Sequence, residues 1–305
     1  MNVAEGDEME AIIRLNTIEK LHQLLEYEQP FHSLITLIDL CNITVFNKYK
    51  NRQVVCDFYT ITSKNTANCR LKYGKQYYDF SEGSLMFTAP GQVVVVESLD
   101  IGTEGWMLCF HPDLIRKSNL GDKIKEYTFF RYDTSEALHL SEQEKGLINS
   151  IVARIKNEFT QNQDQYSQDL IVLHIEVLLN YAKRFYGRQF ITRANTNKDV
   201  ISRFEIMLNK YFDSNLARQG IPRVKELAKE MGYSTNYLSD LLKKETGKNT
   251  QEHIQFRLIE KAKSLLLGTE ESVTQISGML GFEYPAHFSK FFKKRTGVSP
   301  MSFRR

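Results

Sequence analysis

Cysteine is scarce in this sequence and nothing pairs it. The 305 residues hold four, Cys41, Cys56, Cys69 and Cys109, with no CxxC among them. That argues for free thiols in a reducing compartment rather than disulfides or a redox sensor. Histidine is nearly as thin, seven in all, and no His-x-His pair occurs. The strand-rich region holds only His32 and His111, and Glu97 is a lone carboxylate. A metal centre is therefore not expected, nor any cofactor. No Gly-x-Ser-x-Gly elbow and no phosphate-binding glycine loop is present, so the common hydrolase and nucleotide-binding signatures are missing and no enzyme is expected. Apolar runs fall well short of the roughly 20 residues that cross a bilayer. The polar, acidic start MNVAEGDEME contains no signal core. A cytoplasmic protein without a membrane partner is the expectation.

What remains is ordinary globular composition with an uneven charge. The net charge of +3 divides sharply along the chain. Residues 200–305 hold 18 Lys and Arg against 11 Asp and Glu, a balance of +7, and the first 199 residues carry −4. A basic C-terminal module on an acidic body suits contact between that module and a polyanion.

Inside this basic module, a single stretch occurs twice: LAKEMGYSTNYLSDLLKKETG, ending at Gly247, and ISGMLGFEYPAHFSKFFKKRTG, ending at Gly297. Those glycines are 50 residues apart, and Gly232 and Gly281 are 49 apart. The copies thus differ by one residue in the second turn. Each reads as a short helix (Leu227, Ala228, Met231; Ile276, Ser277, Leu280), a glycine able to take the left-handed backbone, an aromatic and a second helix. The second helices bury Leu238, Leu241 and Leu242, or Phe288, Phe291 and Phe292, at i, i+3, i+4 spacing, leaving a lysine-bearing face outside. A helix–turn–helix with a basic outer face is the geometry that places a helix in the DNA major groove.

The stretch resembles the AraC/XylS family of bacterial transcription regulators, most strongly at HFSKFFKKRTGVSPMSFRR. Where that family often has Tyr, this chain has His287 and Phe303. The resemblance implies two reading helices in adjacent major-groove segments. Its DNA-binding set here is Ser234, Thr235, Asn236, Ser239, Asp240, Lys243 and Lys244 in the first unit, about 222–247. In the second, about 272–297, it is Ala286, His287, Ser289, Lys290, Lys293, Lys294 and Arg295. Asn236 can pair with adenine, Lys290 can reach guanine and Ala286 can touch a thymine methyl. Asp240 either accepts from cytosine or pairs with Lys243 or Lys244. Lys244, Lys294 and Arg295 suit phosphates.

Upstream, Asn16 can cap a short helix bearing Ile18, Leu21, Leu24 and Leu25. Six β-rich runs follow, LITLIDL, QVVCDFYTI, CRLKY, SLMFTAP, QVVVVES and GWMLCF. Their spacing predicts an antiparallel sandwich or small barrel. DFSEGSLMFTAPGQVVVV resembles the cupin-like sensor domain of many members of the same family. Phe58, Tyr59, Tyr73, Tyr77, Tyr78, Phe80 and Trp106 could line an effector cavity or fill it. Ser141 and Glu144 form a capping box before an apolar stripe, and residues 170–181 are apolar nearly all round, so a second subunit or the preceding helix must cover them.

The expected fold is therefore multidomain α+β. A cupin-like effector-sensing β-barrel spans 1–140, a helical dimerisation segment 141–187, a polar linker 188–198 and an all-α DNA-binding domain 199–305. Asp199 is expected to cap the first helix of that domain, and Pro222 to sit at the first position of the next. The partners expected are double-stranded DNA, a second copy, a small effector and, for an activator, RNA polymerase. The alternatives are control by a protein partner or by abundance, a cupin enzyme with a DNA-binding tail, and a repair protein with a methyl-accepting cysteine; no cysteine here has such a setting.

Overall fold

The computed structural model describes residues 12–43, 48–49, 52–64, 70–73, 76–79, 83–96, 104–133, 136–161, 164–192, 194–214 and 216–304. Cys69, Phe80 and Glu97 lie outside that set, as do the side chains of Tyr73, Tyr77 and Tyr78. The chain divides into two compact units, Met1–Gln189 and Phe190–Arg305.

Among the described residues the first unit has ten strands: β1 (Ile13–Leu15), β2 (Ile35–Asp39), β3 (Arg52–Cys56), β4 (Tyr59–Lys64), β5 (Arg70–Tyr73), β6 (Gln76–Asp79), β7 (Ser84–Thr88), β8 (Val93–Val96), β9 (Gly105–Phe110) and β10 (Leu138–His139). They form separate sheets in the orders β1-β3-β8, β10-β7-β4-β9-β2 and β5-β6. Among the described residues no closed barrel forms, which corrects the barrel expectation. QVVCDFYTI, read as one run, breaks at Asp57 and Phe58, so β3 and β4 lie in different sheets. β1 pairs with β3 in parallel, against the antiparallel expectation. β4 is buried along nearly its whole length because β7 and β9 flank it on either side.

Two cores support these sheets. Helix α1 (Ile18–Leu24) is capped by Thr17, whose hydroxyl accepts from the Lys20 N–H at 3.2 Å, one residue later than the expected Asn16. Its Ile18 and Leu21 join Leu15, Ile38, Val54, Phe58 and Cys109 in one cluster. The other core is aromatic. Tyr59 stacks on Phe110 with ring centres 5.0 Å apart, Phe87 meets Phe129 at 4.5 Å, and Phe129 stacks on Tyr186 at 5.4 Å. Phe58 and Tyr59 thus fill the interior. Trp106 instead donates its indole N–H to Asn149 at 2.9 Å.

The histidines serve local turns. His32 Nδ1 accepts from the Leu34 N–H at 3.0 Å, and His111 Nδ1 accepts from the Asp113 N–H at 3.2 Å to cap α2 (Pro112–Ile115). Burial pushes the His32 pKa down. Among the described residues no three His, Cys, Asp or Glu side chains converge on a metal position. Burial holds Cys56 up at about 12 and Cys109 well above a normal thiol, which disfavours the thiolate at both.

After α3 (Asn119–Lys123), the chain enters α4 (Glu142–Thr160) through the Ser141–Glu144 capping box, present in both directions. Ile148, Ile151, Val152, Ile155 and Phe159 are its buried face. In α5 (Ser167–Thr192), Leu170, Leu173 and Val177 stay exposed at 40, 55 and 42% while Ile171, Ile175, Leu178 and Leu179 are buried. The polar stretch 188–198 is helical on both sides of Arg193: α5 runs through Thr192, and α6 (Ala194–Ser214) begins two residues later. Asp199 is therefore inside α6 rather than at its cap. No helix among the described residues is long and apolar enough to cross a membrane.

Candidate nucleic-acid interface

The second unit continues with α7 (Leu216–Gln219), α8 (Val224–Met231), α9 (Thr235–Thr246), α10 (Thr250–Gly268), α11 (Val273–Met279), α12 (Pro285–Thr296) and α13 (Pro300–Arg304). Arg223, not Pro222, precedes α8, and Pro222 is buried one residue further out. Gly232 ends α8 in the left-handed region at φ 79°, as the sequence pattern requires.

α9 starts where the Ser234 hydroxyl accepts from the Tyr237 N–H at 3.2 Å, and it ends at Gly247, again left-handed. Leu238, Leu241 and Leu242 are buried. In α12 the corresponding Phe288 and Phe292 are fully buried, with Phe291 half-buried against Phe282. Full burial of Leu238, Leu241 and Leu242 in α9 and of Phe288 and Phe292 in α12, about 1.5–3 kcal/mol each, fixes which faces remain outside.

The two copies share their scaffold bonds. Thr246 donates its hydroxyl to the Leu242 carbonyl at 2.7 Å and accepts from the Lys248 N–H at 3.3 Å. Thr296 does the same with the Phe292 carbonyl at 2.9 Å and the Val298 N–H at 3.4 Å. Asn249 and Glu252 then cap α10 reciprocally, and Ser299 opens α13 by accepting from the Ser302 N–H at 3.1 Å. Arg304 donates to the Leu266 carbonyl near the end of α10 at 3.1 Å. His253 shares a 2.8 Å hydrogen bond with Thr246; burial, and then the charge of Lys248, push its pKa down.

α10 carries Ile254, Leu258, Ala262 and Leu266 into the core and touches α6, α9, α11 and α13. A second tie joins the copies directly. Gly220 and Gly281 both have positive φ, 74° and 77°, and a Cβ on Gly281 would lie 2.7 Å from the Gly220 Cα. The loop before the first helix–turn–helix therefore rests on the turn of the second.

Among the expected contact residues, Lys243, Lys244, Ala286, His287, Lys290, Lys293, Lys294 and Arg295 are exposed, and Ser234, Thr235, Asn236, Asp240 and Ser289 are half-buried. Ser239 is turned inward: its hydroxyl is 3.0 Å from that of buried Thr250. In the second copy Pro300 stands where Thr250 stands in the first, so Ser289 has no such hydroxyl to meet. The Arg295 guanidinium donates to the side-chain oxygen of Gln255 on α10. Glu283, Tyr284 and Pro285 are exposed and absent from the set expected from sequence. Tyr284, 54% exposed, immediately precedes α12 and makes no side-chain cap. The residue at its position in the first copy is the capping Ser234.

Residues 227–305 match the family model described as a helix-turn-helix domain. An uncharacterised HTH-type transcriptional regulator of Bacillus subtilis, YobQ, is 37% identical over 81 residues, 27% of this chain and 34% of that protein. An uncharacterised HTH-type transcriptional regulator of Escherichia coli, YijO, is 24% identical over 192 residues, 63% of this chain and 64% of that protein. Among solved structures, the C-terminal domain of AraT, a response regulator from Geobacillus stearothermophilus, is similar at 30% identity and a TM-score of 0.30, over 33% of this chain and 84% of that one. The chain spans 19 to 64% of the length of the curated relatives it matches first.

Proposed function

We propose that the chain is an AraC-type helix-turn-helix transcription regulator, a reading supported by the domain match over residues 227–305, and that it binds two adjacent major-groove segments of duplex DNA through α9 and α12 and couples that binding to a signal received by residues 1–140. The carrying observation is the duplicated unit, with equivalent lysines at Lys243 and Lys293, and at Lys244 and Lys294, exposed on both reading helices. α10 ties the two units together and sets their separation, about one helical turn or roughly 34 Å on the DNA.

Roles divide by chemistry. Asn236 presents an amide suited to an adenine edge, and Lys293 presents a point charge suited to phosphate. Asn236→Ala is expected to relax preference at one base position by about 1–3 kcal/mol, and Lys293→Ala to weaken all sequences alike and lower the salt slope by about one. Selection of both variants against a randomised duplex library, repeated across a salt series, checks this. A changed base preference in Lys293→Ala, with uniform weakening in Asn236→Ala, would reverse the roles.

The chain acts as a homodimer through the 141–187 helices in this proposal, supported by the exposed stripe of Leu170, Leu173 and Val177 on α5. Leu173→Glu with Val177→Glu should give a folded monomer in sedimentation. A parent chain that is already monomeric at high concentration refutes the pairing.

A second reading, control by a protein partner or by abundance, is favoured by one observation. The aromatic layer of Tyr59, Phe87, Phe110, Phe129 and Tyr186 occupies space that an effector would need. Adding a low-molecular-weight cell extract to purified chain should shift duplex affinity under the effector reading. An unchanged affinity supports the second one.

A further inference from the structure

The starts of the two reading helices are chemically inverted. In α9 the first position is a hydroxyl cap, Ser234, and the aromatic three residues on, Tyr237, is 4% exposed and stacked on Tyr233 at 5.4 Å. In α12 the residue at the capping position is Tyr284, which leaves the first turn uncapped by any side chain. The residue three on is His287, which is exposed and meets the Tyr284 ring edge-on at 5.3 Å. A serine at 284 would cap the helix as Ser234 caps α9. The ring instead holds an exposed aromatic surface at the start of α12, the end of a reading helix that contacts base edges. Lys290, Lys293 and Lys294 on the same helix are exposed and suit a polyanion around it.

On the DNA-binding reading above, we infer that the Tyr284 ring, braced by His287, reads the C5-methyl of a thymine in the segment facing α12. Apolar side-chain surface against that methyl is a direct base contact needing no hydrogen bond. The second unit therefore gains sequence selectivity from aromatic packing, where the first uses the Asn236 amide.

The experiment uses the full chain and the duplex it selects from a randomised library. Each thymine of that duplex is replaced in turn by deoxyuridine, which removes only the methyl. One position should lose about fourfold in affinity, the worth of one buried methyl. Tyr284→Phe should keep that loss. Tyr284→Ser should abolish it while melting no lower than the parent, since serine restores the cap. Insensitivity at every thymine, or a loss that persists in Tyr284→Ser, overturns the inference and leaves the DNA-binding reading standing. Failure of the parent chain to select any duplex overturns that reading and this inference with it.

Discussion

The duplex affinity of the full chain should fall about a thousandfold between roughly 50 and 200 mM salt. The reading helices expose five lysines, Lys243, Lys244, Lys290, Lys293 and Lys294, with Arg295 alongside. Each phosphate neutralised on B-DNA releases counterions worth a slope of about −0.9, so six contacts give about −5 on a log–log plot. The acidic residues nearby do not cancel this: Asp240 and Glu245 are half-buried, and the exposed Glu283 is one carboxylate against six cations. The first 199 residues, at −4, add no attraction. Titration of one selected duplex at several salt concentrations measures the slope directly. A slope shallower than about −2 would mean that fewer than half of these cations reach phosphate.

Gly281→Ala should lower the melting temperature of the C-terminal unit by about 10 °C or more, on the order of 3 kcal/mol. Two costs combine. A left-handed φ of 77° is strained for alanine, and the new Cβ would lie 2.7 Å from the Gly220 Cα and 3.1 Å from the Ile221 nitrogen. Both neighbours are backbone, so the loop must move as a whole. Gly297→Ala supplies the control: its φ is 85°, but a Cβ there would meet nothing within 4 Å. Only the strain remains, about 1 kcal/mol. Thermal unfolding of the two variants side by side decides the matter, and equal melting temperatures would show that the glycine–glycine contact contributes nothing.

The two helix–turn–helix units are legible in the sequence because everything that defines them is local. Apolar residues recur at helical spacing, glycine ends α8 and α9, and Ser272 with Gln275, three residues apart, caps α11. What the sequence conceals depends on partners further along the chain. The inward turn of Ser239 requires Thr250, eleven residues on and in another helix. The break at Asp57 and Phe58 follows from sheet membership, because β3 pairs with β8 and β4 with β7 and β9. The parallel pairing of β1 depends on a strand that begins 37 residues after β1 ends, at Arg52. Polarity alone does not set backbone conformation at 188–198, where a polar stretch is as compatible with a helix as with a linker. Tyr284 is hard to single out because an aromatic before a reading helix reads as core, as Tyr233 does in the first copy.

The paired threonine ties separate two kinds of change open to this molecule over generations. Thr246 and Thr296 draw the end of each reading helix into the following turn through main-chain atoms and their own hydroxyls. None of those bonds involves an outward side chain of α9 or α12. The scaffold can therefore stay constant while the outward residues drift, and either copy can drift without the other. On the proposed DNA-binding reading, a duplicated module built this way can acquire a new target site one half at a time, each intermediate still recognising the half that has not changed.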